Sequence, residues 1–200
     1  MKTSKKIADY LISRDKNMKK VIGSSVIIAR NIESDGFYSL VDTIISQQIS
    51  GKAAETICNR LKDRCGGQIT VDKLQALSDE EMRELGVSSY KIKYLRSLCD
   101  AVITKEIDFS KLNKLKDEEI IGSLVRIKGI GYWSAEMFLI FSLGRKDIFS
   151  CGDLALQKAV NHWYFNDEIA TKQQLLQVSE KWAPYRTYAS LYLWESIRRF

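Results

Sequence analysis

Leu124-Val125-Arg126-Ile127-Lys128-Gly129-Ile130-Gly131-Tyr132-Trp133-Ser134-Ala135 sets the organisation of this 200-residue chain. Upstream of it, Ile120, Ile121, Leu124 and Ile127 recur at three-and-four spacing, which predicts a helix over 117–127. Downstream, Trp133, Met137, Phe138 and Phe141 repeat the pattern and predict a second helix. Lys128 to Gly131 is then a turn between two helices, and its glycines suit a backbone that adopts positive φ or approaches another molecule closely. The first amides of a helix lack intrahelical acceptors and lie at the positive end of the macrodipole, so the N–H groups of Gly129 to Tyr132 are suited to one phosphate oxygen. A bare Gly-x-Gly more often does no more than bend a helical hairpin.

Composition narrows the classes. The chain is 45% hydrophobic, enough to bury a core, and carries a net charge of +6 that is compatible with a polyanionic partner. The excess lies early: residues 1–35 hold eight Lys/Arg against four Asp/Glu, while the remainder is nearly balanced at 23 against 21. Charges interrupt Met1 to Lys20 and no apolar run reaches spanning length, so a cytoplasmic protein without membrane contact is expected. Cys58, Cys65, Cys99 and Cys151 contain no Cys-x-x-Cys pair and read as core or surface thiols. His162 is the only histidine, which excludes His-rich metal sites and serine-type triads.

A single proline, Pro184, and scarce period-two alternation predict an all-α fold. Ile7, Leu11 and Ile12, then Met18, Val21 and Ile22, suggest one or two short helices; Val26 to Ala29 is read as buried coil or helix. Phe37, Leu40, Val41, Ile44 and Ile45 form a core face, and Ala53, Ala54 and Ile57 begin a helix running to Leu61. Between them, Ser46-Gln47-Gln48-Ile49-Ser50 is uncharged and polar. Its amides suit exposed base edges, or else cap a helix with two surface glutamines. Leu74, Leu77, Met82 and Leu85 mark a small helical connection, and Ser88 or Ser89 caps a helix over 90–103 that displays Lys91, Lys93 and Arg96 to phosphates or to solvent. Later helices are expected around Leu154 to Val160, around Leu175 to Val178, and from Trp182-Ala183-Pro184 onward with Pro184 in its first turn.

Asp153 opens one of these helices, where negative charge is favoured. An ionised carboxylate there can stabilise a developing cation or orient water, although the commonest reason for Asp in that place is capping.

Gly129-x-Gly131-aromatic-Trp133-x-Ala135, followed 22 residues after Gly131 by Gly152-Asp153, resembles the helix-hairpin-helix DNA glycosylase superfamily. Trp182-Ala183-Pro184-Tyr185-Arg186-x-Tyr188-Ala189 with Leu193-Trp194 resembles the C-terminal signature of its 3-methyladenine DNA glycosylase II branch. The resemblance implies one domain over 1–200 built of two helical lobes: 36–145, which includes the hairpin 118–142, and 1–35 with 146–200. The active site is then expected in the cleft between them. It implies a monomeric, monofunctional enzyme that flips an alkylated purine from duplex DNA and hydrolyses its N-glycosidic bond. The alternatives are the same fold acting on 8-oxoguanine or deaminated and mismatched bases, and a non-catalytic DNA-binding module.

Carried over by position, Asp153 matches the essential aspartate, and Lys128, Gly129, Gly131 and Tyr132 match the backbone-gripping hairpin. Trp133, Met137, Leu154 and Trp194 match walls of the base pocket. Gln47 and Gln48 match the DNA-contacting corner, with Gln48 at the wedge that fills the vacated gap. Trp133 stands where bifunctional members carry an imine-forming lysine, so no lyase step is expected. The carbonyls matching Val125, Ile127 and Ile130 often hold a structural Na+ or K+ in this family; no other cofactor is implied. Cys58 and Cys65, separated by six residues, share a spacing with the iron–sulfur loop of some relatives, but two further ligands are missing and no cluster is expected. Gln48 stands where the alkylation-repair relatives have an apolar residue, and Met137 and Leu154 where they have aromatic ones.

Overall fold

The computed structural model describes residues 2–23, 29 and 31–200, and its regular elements are helices. They are α1 (Lys5–Arg14), α2 (Met18–Ile22), α3 (Gly36–Ser46), α4 (Gly51–Arg64), α5 (Val71–Ala76), α6 (Asp79–Glu84) and α7 (Ser89–Ile103). There follow α8 (Phe109–Leu112), α9 (Asp117–Leu124), α10 (Tyr132–Phe141), α11 (Leu154–Phe165), α12 (Lys172–Glu180) and α13 (Arg186–Ser196). Among the described residues there is no β-strand; Lys2 and Ala29 form an isolated antiparallel bridge. The rest of the Val26 to Ala29 run lies outside the described residues.

The chain divides into two compact units, Glu33–Phe138 and Met1–Ile32 with Leu139–Phe200, the first boundary following Ile32 and the second falling inside α10. In the central unit, α3 buries Phe37, Leu40, Val41, Ile44 and Ile45, α4 buries Ala54, Cys58 and Leu61, and α7 buries Ile92, Leu95 and Leu98. Packing of α3 on α4 and α7, and of α5 and α6 on α7, removes these side chains from water. Each fully buried Leu or Ile contributes about 1.5–3 kcal/mol. Local signals start the helices. The Asp35, Ser50 and Thr70 side chains accept first-turn amides, and Ser78 and Glu81 form a capping box.

Two cations on α7 turn out to be struts. Lys91 Nζ donates to the Ile45 carbonyl at 2.7 Å, at the end of α3. Arg96 donates to the carbonyls of Leu74, Gln75 and Leu77 and to Asp79, satisfying the end of α5. Lys93 is exposed. Cys58 donates its thiol to Asp42 at 3.3 Å, and burial, reinforced by the Asp42 charge, pushes that thiol up to about 12. It is therefore a neutral S–H donor near neutral pH. None of the four cysteines is in a disulfide, and Cys58, Cys65 and Cys99 are buried. Among the described residues, no helix is long and apolar enough to cross a membrane.

In the terminal unit, α1, α2, α11, α12 and α13 enclose a core that includes Leu11, Met18, Ile22, Leu156, Val160, Trp182, Leu191 and Tyr192. Asp15, at the end of α1, is buried within it. Its Oδ2 accepts from Tyr164 Oη at 2.8 Å and Trp182 Nε1 at 3.0 Å, and its Oδ1 accepts from the Asn17 amide at 3.0 Å. Burial, then the Asp15 charge, raises the Tyr164 phenol far above its ordinary value, so it acts as a neutral donor.

Some boundaries differ from expectation. Helix α9 stops at Leu124 rather than Ile127, because the Ile127 amide bonds the Leu124 carbonyl and tightens the chain into the turn. Helix α13 begins at Arg186, so Pro184 precedes it, in a turn where the Tyr185 amide bonds the Trp182 carbonyl. Ser88 occupies the N-cap of α7 without a side-chain bond to its amides.

Replacing Asp15 by Ala strands the buried donors of Tyr164 and Trp182. An Asp15→Ala variant is expected to lose about 3 kcal/mol in urea unfolding. A loss below about 1 kcal/mol would show that those donors find other partners.

Candidate functional site

The terminal unit builds a fixed carboxylate. The segment leading to it is pinned at both ends. Arg186 clamps Asp147 through two contacts of 2.8 Å, from Nε to Oδ1 and from Nη2 to Oδ2, and its amide donates to Oδ1 at 3.1 Å. Burial acts to raise the Asp147 carboxyl, but the Arg186 hydrogen bonds and charge outweigh it and hold the carboxyl below its ordinary value. The clamp thus contributes fully above that ordinary value and is lost as pH falls through the lowered one. Thr187 Oγ1 donates to the Arg145 carbonyl and accepts from the Ile148 amide, and Gln157 Nε2 donates to the Cys151 carbonyl at 2.7 Å.

Asp153 stands at the N-cap of α11 and is 8% exposed. Its Oδ1 accepts from the Leu156 amide at 2.7 Å and from Trp194 Nε1 at 3.0 Å. The capping role that composition favours is real, and a second donor from α13 has been added to it. The Trp194 ring lies 5.8 Å from Phe141 at 32°. Leu154, the first residue of α11, is 78% exposed.

The central unit carries the hairpin. Between α9 and α10 the turn is drawn tight: the Lys128 amide donates to Ser97 Oγ at 3.2 Å, and the Ile130 amide to the Ile127 carbonyl at 3.0 Å. The Lys128 and Ile130 amides are therefore committed to the fold, which removes Ile130 from the expected Gly129 to Tyr132 cradle, and the start of α10 at Gly131 and Tyr132 is exposed.

The two glycines do different work. Gly129 has φ +91°, and a Cβ there would lie 2.2 Å from Tyr94 Cγ, so its bare backbone lets the turn rest on the α7 ring. A Cβ on Gly131 would meet nothing within 4 Å, leaving open space before the helix.

Gln47, at the C-terminus of α3, donates from Nε2 to the Gly129 carbonyl at 2.8 Å, tying this corner to the hairpin. Gln48 is exposed with φ +57°. Trp133 is 43% exposed, whereas Met137 is buried one turn further on. Thus Asp153 and Trp194 come together in one unit, and Gln47 meets the hairpin in the other. Sequence reading missed the Gln47–Gly129, Ser97–Lys128 and Trp194–Asp153 bonds. Tyr94 and Ser97 do share a helix face at i, i+3, but nothing local says what that face meets.

For a monovalent cation, Val125, Ile127 and Ile130 offer backbone carbonyl oxygens within one short turn, the donor type hard cations take. The Ile127 oxygen keeps a second lone pair beside its bond to Ile130. The residues fit such an ion.

Residues 41–184 match the family model described as HhH-GPD superfamily base excision DNA repair protein. A DNA-3-methyladenine glycosylase 1 from Schizosaccharomyces pombe is 35% identical over 195 residues, 94% of this chain and 86% of that protein. A Saccharomyces cerevisiae DNA-3-methyladenine glycosylase is 39% identical over 156 residues, 74% of this chain and 52% of its own length. Among solved structures, a DNA-3-methyladenine glycosidase from Bacillus halodurans superposes with a TM-score of 0.88 at 36% identity, covering 98% of this chain and 92% of that one. The S. pombe 3-methyladenine DNA glycosylase in complex with abasic DNA gives 0.86 at 35% identity, with 95% of each chain covered. The chain belongs to the HhH-GPD superfamily of base excision DNA repair proteins.

The contrast between the glycines is measurable. Gly129→Ala is expected to cost about 3 kcal/mol of stability, from the clash with Tyr94 and the strained φ. Gly131→Ala is expected to stay within about 0.5 kcal/mol of wild type in the same unfolding assay. Equal effects would refute the separate roles.

Proposed function

We propose that this chain is a monofunctional DNA glycosylase that extrudes an alkylated purine, of the 3-methyladenine or 7-methylguanine type, from duplex DNA and hydrolyses its N-glycosidic bond. The observation that carries the reading is the Asp153 carboxylate, fixed through one oxygen by two neutral N–H donors at a helix start, in a chain of this family.

As the C1′–N bond lengthens, its electron pair leaves with the purine and positive charge develops on the sugar. A fixed anion such as Asp153 lowers the energy of that state, because its charge is already oriented before the bond breaks. Water then forms the new C1′–O bond and releases its proton to the solvent, so the products are the neutral free base, an abasic site and one proton. Asp153 is the group proposed to orient that water. Trp133 has no amine, so no imine forms and the strand stays intact.

The half-exposed Trp133 indole offers an electron-rich face suited to a cationic purine. The open backbone at Gly131 and Tyr132 is assigned to a DNA phosphate, and Lys128 to the neighbouring charge. Exposed Gln48 is assigned to the gap left by the flipped base, where its amide can bond the orphaned partner. The Val125, Ile127 and Ile130 carbonyls are proposed to hold a Na+ or K+, whose positive charge would add to the field at the phosphate.

Duplexes each carrying one lesion (7-methylguanine, 3-methyladenine, 8-oxoguanine or hypoxanthine) test the reading. Release of the alkylated purines is expected, with strand cleavage only after alkali and no borohydride-trapped adduct. Asp153→Asn is expected to reduce single-turnover release by about 100-fold or more while abasic-site binding persists. Release by Asp153→Asn at the wild-type rate would remove Asp153 from the chemistry. Binding without release of any base would make the chain a DNA-binding module.

A further inference from the structure

We infer that Trp194 is a positioning residue for the reaction: its indole N–H, 3.0 Å from Asp153 Oδ1, aims the carboxylate from outside the helix that caps on it. The inference rests on the reading of Asp153 as the catalytic carboxylate. A helix cap alone needs only the Leu156 amide, which already approaches Oδ1 at 2.7 Å. One donor to one oxygen still lets the carboxylate plane turn. A second donor on the same oxygen, arriving from a different helix, narrows that freedom.

The chemistry of the donor matters as much as its place. Indole donates one hydrogen bond, accepts none, and carries no charge. Arg or Lys at this position would orient the carboxylate equally well but would neutralise the charge that the sugar cation needs. An amide or hydroxyl side chain could also accept and so admit other bonding patterns. The indole is itself held, with the Phe141 ring 5.8 Å away at 32°. A ring that only walled a base pocket would have no need to direct its N–H at Asp153.

Two variants of the full-length protein separate aiming from walling. Trp194→Phe keeps an aromatic face and removes the N–H. Incorporating 3-benzothienylalanine at position 194 keeps the bicyclic shape and replaces the N–H by sulfur, so packing and stacking survive even if the Phe variant folds poorly. The readouts are single-turnover release of 7-methylguanine and, separately, affinity for a duplex with an abasic site.

Loss of one hydrogen bond to a charged group is expected to slow release about tenfold in both variants. Abasic-site affinity should change less than twofold. Wild-type release by the benzothienyl variant overturns the inference while leaving Asp153 in place, and so does a slowed release matched by an equal loss of abasic-site affinity. Wild-type release by Asp153→Asn in the same experiment would instead remove the reading beneath it.

Discussion

The oxygen Oδ1 of Asp153, shared between the Leu156 amide and the Trp194 indole, is the contact on which the rest of the site depends. A carboxylate in water is stabilised by a mobile shell that must reorganise whenever nearby charge changes. Here two N–H groups carried by helices replace part of that shell. Both donors are neutral, so neither adds a counter-charge to the carboxylate. The clamp of Arg186 on Asp147, the Thr187 bonds to 145–148 and the Gln157–Cys151 contact make the approach to that carboxylate rigid.

The hairpin of the central unit divides two tasks between two glycines that look alike in the sequence. Gly129 serves the fold, since its missing side chain is the space occupied by Tyr94. Gly131 serves the surface, where no protein atom competes for the space before α10. Gln47 adds a strap to the Gly129 carbonyl, so the corner that carries Gln48 is tied directly to the turn proposed to hold the phosphate.

Helix content and core faces were legible because they depend on local spacing. The apolar residues of α3, α4 and α7 fall inside as their periodicity requires. The catalytic role given to Asp153 comes from the resemblance and stands as a proposal; as a cap, Asp153 was legible. The donors that aim it were not, because Trp194 lies 41 residues away and an isolated Trp carries no signal of where its N–H points. The same holds for Lys91 and Arg96, whose charges suit solvent or phosphates but which close the ends of α3 and α5. A surplus of unpaired helix carbonyls cannot be located from composition. Helix ends were also misplaced at Leu124 and Arg186, where turn bonds between nearby backbone groups took over from periodicity.

The most direct measurement is the affinity for a duplex in which a cationic pyrrolidine replaces the target deoxyribose, compared between wild type and Asp153→Asn. If this carboxylate stabilises a sugar cation, wild type binds the analogue about 100-fold more tightly than the variant, while both bind an uncharged abasic analogue alike. Equal affinity of the two proteins for the cationic duplex would contradict the account.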